Sequence, residues 1–389
     1  MGHEELINYQ SNFCCKIASS MSNLLALLKQ PKFAFLVLVS ISTLIVSTIV
    51  TIKFFPQDVY LSKIQTNHNQ PQVLAAQTTL DLGKPPEDLK ELNILLLGYG
   101  GAGHQGGFLT DVIQLVSINF ETKKIYLISI PRDLWVTLPN GKQAKVNSAF
   151  TLGENPDQKI ESGGLVAKQM ISIVTGFDIH YFIAVDFVDF QRLIGEKLDG
   201  ITVNVPETLD DPWYPIKGEE LNPCGFSSTE IADLTAKYSG FELEKQFECR
   251  YKHLHFEKGA VQMEGGDALE YVRSRHGSTS GDFSRSQRQH ALLLAIRDRL
   301  LEQGVIENST QFFEAIQKNI TTDLNLEAVK YAMPALANIN NFQTQSLVLS
   351  TENVFTNGKS TTGQFILMPK QGLDQWQQVH EFIQKSIGK

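Results

Sequence analysis

The sequence predicts an α/β protein, an α-β-α sandwich in which helices cover a mixed central sheet, preceded by one N-terminal transmembrane helix. From residue 91 onward, short runs rich in Ile, Leu and Val alternate with stretches of helical periodicity, the pattern of helices laid on a sheet. Phe33 to Ile52 carries twenty residues without a charge, and at about 1.5 Å per residue such a run crosses the roughly 30 Å core of a bilayer. With 389 residues, 42% of them hydrophobic and 20% charged, the chain can bury one large core or two modest ones.

Residues 1–32 form a mixed cytoplasmic segment and residues 33–52 the anchor. A cleaved signal would show a shorter apolar region and small residues at its end; here Lys53-Phe-Phe-Pro follows instead. Lys16, Lys29 and Lys32 precede the span and Lys53 and Lys63 follow it, which sets the N-terminus on the cytoplasmic side. The rest is then extracytoplasmic. Cys14 and Cys15 face a reducing compartment, whereas Cys224 and Cys249 stand in an oxidising one, either paired or as two buried thiols. Residues 53–90, rich in Gln, Asn, Thr, Pro and Lys, read as a tether.

The folded domain, residues 91–389, opens with strands at Leu92–Leu97, Val112–Ile118 and Lys124–Ile130. A helix over Gly163–Thr175, a strand over Tyr181–Val185, a helix over Val188–Lys197 and a strand over Ile201–Val205 follow. Asp210 to Cys249, with its prolines and glycines, is expected to be a surface excursion. Glu264–Arg273 and the segment from Ser284 read as helices, and the chain stays helix-rich to about Asn338. Strands at Gln345–Ser350 and Phe365–Met368 precede an amphipathic helix over Leu373–Ile387.

The chemistry concentrates between Tyr271 and His290, where four arginines, two histidines and one aspartate lie in twenty residues of a protein with net charge −8. Arg273 and Arg275 leave the same side of the chain if it is extended there, while Arg285 and Gln289 share a helical face. Glycines at 277 and 281 let the two pairs converge. Several guanidinium forks around one point suit a pyrophosphate; the plainer reading is a solvated helix face with Asp282 paired to Arg285.

Other features are weaker. Gly98-Tyr99-Gly100-Gly101-Ala102-Gly103 fits a dinucleotide pattern but leads into a strand rather than a helix, so these glycines are expected to form a flexible rim or let backbone approach a ligand. Asp111, beside a strand, can hold Mg²⁺ through one carboxylate while a pyrophosphate supplies further oxygens. Arg132 and Asp133 follow a strand-ending proline, and Lys145-Val-Asn147 adds a polar cluster. Among His and Cys residues there is no HExxH or CxxC spacing, and no GxSxG elbow marks a serine nucleophile. An acidic chain does not suit nonspecific nucleic-acid binding.

The segments Asn93–Gly98, Leu109–Asp111, Leu127–Asp133, Lys145–Asn147, Tyr181–Phe187, Gly265–His276 and Asp282–Gln289 together resemble the LytR-CpsA-Psr cell-envelope proteins, in order and behind a single anchor. The resemblance implies a phosphotransferase that moves a glycopolymer with its linking phosphate from a polyprenyl-pyrophosphate carrier to peptidoglycan or another envelope acceptor. It implies Asp111 as the Mg²⁺ ligand, Arg132, Arg273, Arg275 and Arg285 as pyrophosphate ligands with Arg132, Asp133 and Arg275 catalytic, Gln289 orienting the substrate, and an apolar pocket for the prenyl chain.

Two positions depart from the family pattern. Gly100 stands where an acid is often found and Leu109 where an arginine is, so either His104 or Tyr99 substitutes for the missing acid, or Asp133 does, or turnover is weak. The alternatives are a non-catalytic module that binds lipid pyrophosphate, and a polyprenyl-pyrophosphate hydrolase.

Overall fold

In the computed structural model, residues 90–388 are described, apart from 105, 154–160, 276, 278–281, 306–307 and 337–338. Residues 1–32, the run 33–52 expected to be the anchor, and the expected tether up to residue 89 lie outside the described residues. Among the described residues no helix is long and apolar enough to cross a membrane. The described residues all fall within one unit, Thr79–Lys389.

Alternation of side chains builds the sheet. In Glu91–Tyr99 (β1), Leu95, Leu97 and Tyr99 enter one core while Leu92 and Ile94 enter another on the opposite face. Thr110–Asn119 (β2) pairs antiparallel with β1, and Lys124–Ser129 (β3) antiparallel with β2. Trp135–Thr137 (β4) and Gln143–Lys145 (β5) form a small hairpin. Glu161–Thr175 (α1) follows, lying close on the sheet because it begins with glycines: a Cβ on Gly164 would stand 2.1 Å from the Phe182 ring. Tyr181–Asp186 (β6) then pairs parallel with β1.

Asp186 ends that strand and caps the next helix, Phe187–Arg192 (α2), by accepting from the Asp189 N–H at 2.8 Å. The single helix expected over Val188–Lys197 changes at Leu193–Lys197 into a wider π turn. Ile201–Val205 (β7), Leu209–Pro215 (β8), Tyr251–Phe256 (β9) and Gly259–Met263 (β10) form two hairpin-like pairs, β7 with β10 and β8 with β9.

The expected excursion over Asp210–Cys249 is therefore corrected at its start, since residues up to Pro215 are strand. Its remainder carries Ser228–Lys237 (α3), which buries no residue, and the short Phe241–Glu244 (α4). A Cys224–Cys249 disulfide, with Cα atoms 5.6 Å apart, joins the ends of this part.

Gly265–Arg273 (α5) and Asp282–Glu302 (α6) pack on β7 to β10 to make a second core. After Ser309–Ile316 (α7), the two-residue Thr321–Thr322 (β11) and Leu326–Leu336 (α8) comes Gln343–Val348 (β12), which pairs parallel with β3. Phe355–Lys359 (β13) and Phe365–Pro369 (β14) form a hairpin before Gln377–Ile387 (α9).

The central sheet runs β11-β6-β1-β2-β3-β12 and is mixed. Residues of α1 and α9 cover one face, and α8 with Leu293 of α6 covers the other, giving the expected three layers. The last helix starts later than its periodicity suggests. Asp374 adopts φ +57° and is committed elsewhere, accepting from Thr137 N at 3.1 Å and Thr137 Oγ1 at 2.6 Å.

A buried polar cluster docks α6 on the sheet. Gln114 Nε2 donates to Ser129 Oγ at 2.9 Å and to Gln289 Oε1 at 3.0 Å. His290 Nε2 lies 2.9 Å from Ser129 Oγ and 3.0 Å from Gln114 Oε1. His290 Nδ1 is buried without a partner, so a second ring proton would be an orphan donor; burial pushes the pKa down to about 4.

Two predictions follow from this packing. The unfolded imidazole titrates near 6.5 and the folded one near 4, so between these values the unfolded chain holds the extra proton. Stability is then full above about pH 6.5 and falls as pH drops toward 4, by up to about 3 kcal/mol from this group. Urea unfolding across that range should show a loss in wild type that His290→Gln lacks. For the disulfide, closing 25 residues restricts the unfolded chain, and a Cys224→Ser/Cys249→Ser double variant should lose about 3 kcal/mol in chemical denaturation while keeping its fold.

Candidate functional site

The site begins where two strands of the central sheet end. Asp111 is the second residue of β2, and after β3 the turn at Pro131, closed by Leu134 N–H to Pro131 O at 3.2 Å, sends Arg132 toward it. Arg132 Nη1 bonds Asp111 Oδ1, and its Nε lies 3.6 Å from Asp133 Oδ2. Lys145 Nζ meets Asp133 Oδ1 at 2.6 Å. The segment through Asn147 ties both strand ends together, because its carbonyl accepts from Thr110 Oγ1 at 3.3 Å and its N–H donates to Arg132 O at 3.4 Å.

The other half comes from the α5–α6 connection. Arg273 is the last residue of α5 and Ser274 leaves the helix with ψ 136°. Arg273 and Arg275 are thus a helix end and the residue after its cap, rather than neighbours in an extended strand. Arg288, only 1% exposed, reaches back from α6 to this end, with Nε donating to Tyr271 O at 2.9 Å and Nη2 to Ser274 O. A cation there satisfies carbonyls that the helix cannot and meets the negative end of its dipole. Ser274 Oγ in turn donates to Asp211 Oδ2 at 2.7 Å, and Asp211 Oδ1 accepts from Trp213 N at 3.0 Å.

Between these halves lies a cavity of about 520 Å³ whose lining includes Asp111, Arg273, Arg275, Arg285, Gln289 and His104. Beside it is a recess of about 180 Å³ lined by Arg132, Asp133 and the apolar Val112, Ile130, Phe283, Val348 and Phe365. Asp111, Arg285 and Gln289 border both. With its Oε1 taken by Gln114, Gln289 has its amide nitrogen to offer an anion.

The larger cavity is polar and cationic on one side. The Arg273 guanidinium lies 4.3 Å over the Phe187 ring, whose edge meets His104 at 5.4 Å. His104 Nε2 is 3.4 Å from Lys217 Nζ. Burial first, then the positive charges of Lys217 and Arg273, lowers the His104 pKa, with Asp186 opposing them. His104 is therefore neutral at pH 7 and able to take a proton.

His104 also stands against Gly100, where an added Cβ would come 3.0 Å from the His104 Cβ. Tyr99, by contrast, is buried between Phe108 and Phe150 in the main core. The glycine loop closes on itself: Gly101 N–H donates to Gly107 O at 2.8 Å, and a Cβ on Gly107 would stand 2.2 Å from Gly101 O. No helix follows it, since β2 begins at Thr110. The disulfide cysteines line neither hollow.

Sequence reasoning missed Asp211, Tyr214 and Lys217, which line the larger cavity from the stretch read as a surface excursion. The available signal was the short alternation Leu209, Asp211, Tyr214, obscured by a buried aspartate where an apolar residue is expected. It also left Arg288 among the arginines of the stretch without its own role.

The model of the LytR_cpsA_psr family matches residues 58–378 of this chain. The polyisoprenyl-teichoic acid–peptidoglycan teichoic acid transferase TagU of Oceanobacillus iheyensis is 26% identical over 255 residues, covering 64% of each chain. TagV of Bacillus subtilis, which carries the same transferase name, is 26% identical over 243 residues, 61% of this chain and 51% of its own. The chain thus spans between about half and two thirds of the length of these relatives.

Among solved structures, the crystal structure of B. subtilis TagV superposes with a TM-score of 0.51 at 20% identity, covering 77% of this chain and 98% of that one. An Enterococcus faecalis protein described as a transcriptional regulator gives 0.52 at 17% identity, with 77% and 88% covered. These likenesses establish a shared fold. Matched from residue 58 to residue 378, across its strand-end acid and its arginine stretch alike, the chain belongs to the LytR_cpsA_psr family.

Proposed function

We propose that this protein is a membrane-anchored, Mg²⁺-dependent phosphotransferase. It moves a glycopolymer with its linking phosphate from a polyprenyl-pyrophosphate carrier to peptidoglycan or another envelope acceptor. The observation that carries this reading is the gathering of Arg132, Arg273, Arg275 and Arg285 with Asp111 and Gln289 around two adjoining hollows, in a chain of net charge −8. The names of the relatives TagU and TagV, both teichoic acid transferases to peptidoglycan, support it. The uncharged run at Phe33 to Ile52 supports a single-pass anchor, with the domain extracytoplasmic beside its membrane-borne substrate.

The donor set fits Mg²⁺. That ion is commonly held by one or two carboxylates with substrate phosphates completing its shell. Asp111 is a hard oxygen ligand, 43% exposed at the cavity, with one oxygen engaged by Arg132 and the other available. Bound there, Mg²⁺ supplies charge neutralisation for the pyrophosphate. The rest falls to the protein.

Arg273, Arg275 and Arg285 grip the phosphate oxygens from the larger cavity, and Arg132 does so from the recess. Gln289 donates one further hydrogen bond that fixes orientation. In the transfer, the acceptor hydroxyl oxygen forms a bond to the phosphorus that carries the glycan, the P–O bond of the pyrophosphate breaks, and polyprenyl phosphate leaves. Such a reaction needs positioned positive charge more than a covalent nucleophile. The hydroxyl proton goes to His104, which is neutral and occupies the space beside Gly100. Asp133 is less suited, being held by Lys145 and Arg132. The apolar side of the recess, formed by Val112, Ile130, Phe283, Val348 and Phe365, takes the first units of the prenyl chain; at about 180 Å³ the recess is smaller than a pocket for a drug-sized ligand.

Transfer from a polyprenyl-pyrophosphate saccharide to peptidoglycan should fall about 10²- to 10³-fold in Arg275→Ala, with thermal unfolding unchanged because the side chain is exposed. Lipid bound without turnover in wild type identifies a binding module, and phosphate released without acceptor identifies a hydrolase. For His104→Gln, kcat should drop about 10²-fold. The wild-type rate should rise with pH through a pKa below the ordinary 6.5 of imidazole, and the variant should lack that limb. An unchanged profile would remove His104 as the base.

A further inference from the structure

A second cluster of ligating side chains lies on the outer face of the β8–β9 pair, and none of its members lines either hollow. His253 and His255 are two apart on β9, so both point outward while Leu254 between them is buried. Asp210 sits directly across from His255 in the antiparallel register. Its Oδ1 lies 2.6 Å from His253 Nε2 and 2.9 Å from His255 Nδ1, and the three ligating atoms are all within 4.8 Å of one another.

The surroundings are arranged as well. The second nitrogen of His255 meets Glu257 Oε1 at 3.1 Å, and Glu257 Oε2 accepts from Thr208 Oγ1 at 3.1 Å. Thr208 Oγ1 accepts in turn from the Lys258 N–H at 3.2 Å. A carboxylate that holds the outer nitrogen of an imidazole fixes its ring and raises its basicity, as around metal-bound histidines.

We infer that Asp210, His253 and His255 form a binding site for a divalent transition metal of the zinc class. Two imidazole nitrogens and one carboxylate oxygen are the ligands, with water completing the shell. Imidazole suits Zn²⁺, Cu²⁺ and Ni²⁺, whereas Mg²⁺ prefers oxygen ligands alone, so this site is chemically distinct from Asp111. Tetrahedral zinc with bonds near 2.0–2.2 Å sets its ligands roughly 3.3–3.5 Å apart. From the present spacing of 2.6 and 2.9 Å, a small opening of the side chains suffices. Because Asp210 and the histidines lie on paired strands, the ion would clamp β8 to β9, whose Asp211 and Lys252 line the larger cavity.

The test uses the full chain, stripped with chelator and dialysed against Zn²⁺ at about pH 7.5, beside the His253→Ala/His255→Ala double variant and Asp210→Asn. Wild type should retain one more Zn²⁺ per chain than the double variant, and millimolar Mg²⁺ should not displace it. Zn²⁺ should raise the melting temperature of wild type only, Asp210→Asn should bind at least tenfold more weakly, and the metal-free melts should coincide because all three side chains are exposed. Equal zinc uptake by wild type and double variant, or displacement by Mg²⁺, would overturn the site. The readouts are metal content and melting, so the failure of the transferase reading would leave this result intact, and the reverse also holds.

Discussion

The buried guanidinium of Arg288 is the contact on which the arginine half of the site depends. A charge 1% exposed is costly to bury unless its donors are met. Here its Nε and Nη2 meet the carbonyls of Tyr271 and Ser274 at the end of α5, while Nη1 is buried without a partner and the guanidinium lies 5.9 Å from the centre of the Tyr271 ring. That contact fixes α6 against the very residues from which Arg273 and Arg275 emerge. One arginine of the stretch is thus structural, and by anchoring the turn it lets the other three border the cavity. The Ser274 hydrogen bond to Asp211 extends the same anchor into β8.

The opposite half rests on the central sheet. Asp111 at the start of β2 and Arg132 just beyond the end of the antiparallel β3 meet because the register sets Gln114 opposite Ser129. The Gln114, Ser129 and His290 cluster lies one layer beneath. It both docks α6 and occupies the carbonyl of Gln289, so the helix cannot rotate without breaking buried hydrogen bonds. Sheet and arginine stretch are therefore held in one geometry by polar contacts below the cavity floor.

Much of this was legible in the sequence because period-two and period-3.6 patterns survive wherever a face is apolar. The strands β1, β2, β3, β6 and β7 and the helices α1, α5 and α6 follow that rule, and the motif order brought Asp111, Arg132, Arg285 and Gln289 into one place. Two of the failures share a physical cause: a polar residue with inward hydrogen bonds. Asp211 on β8 hid a strand, and Asp374, bonded to Thr137, delayed a helix. Spacing could not separate Arg285 from Arg288, three residues apart on one helix, because only tertiary contact decides which meets a ligand and which meets backbone. Nor could it tell Tyr99, buried among aromatic rings, from His104, which reaches the cavity.

The pair Asp210 and Asp211 shows how far two like residues diverge when a strand alternates its faces. Asp211 turns inward, 1% exposed, and supports the helix end that presents the cationic residues. Asp210 turns outward to two imidazoles. A clamp on the outer face would therefore act on the inner one through a single peptide unit. The coupling requires no long path, since the residue that would hold the ion and the residue that buttresses Ser274 are adjacent in one strand, and their side chains leave it in opposite directions.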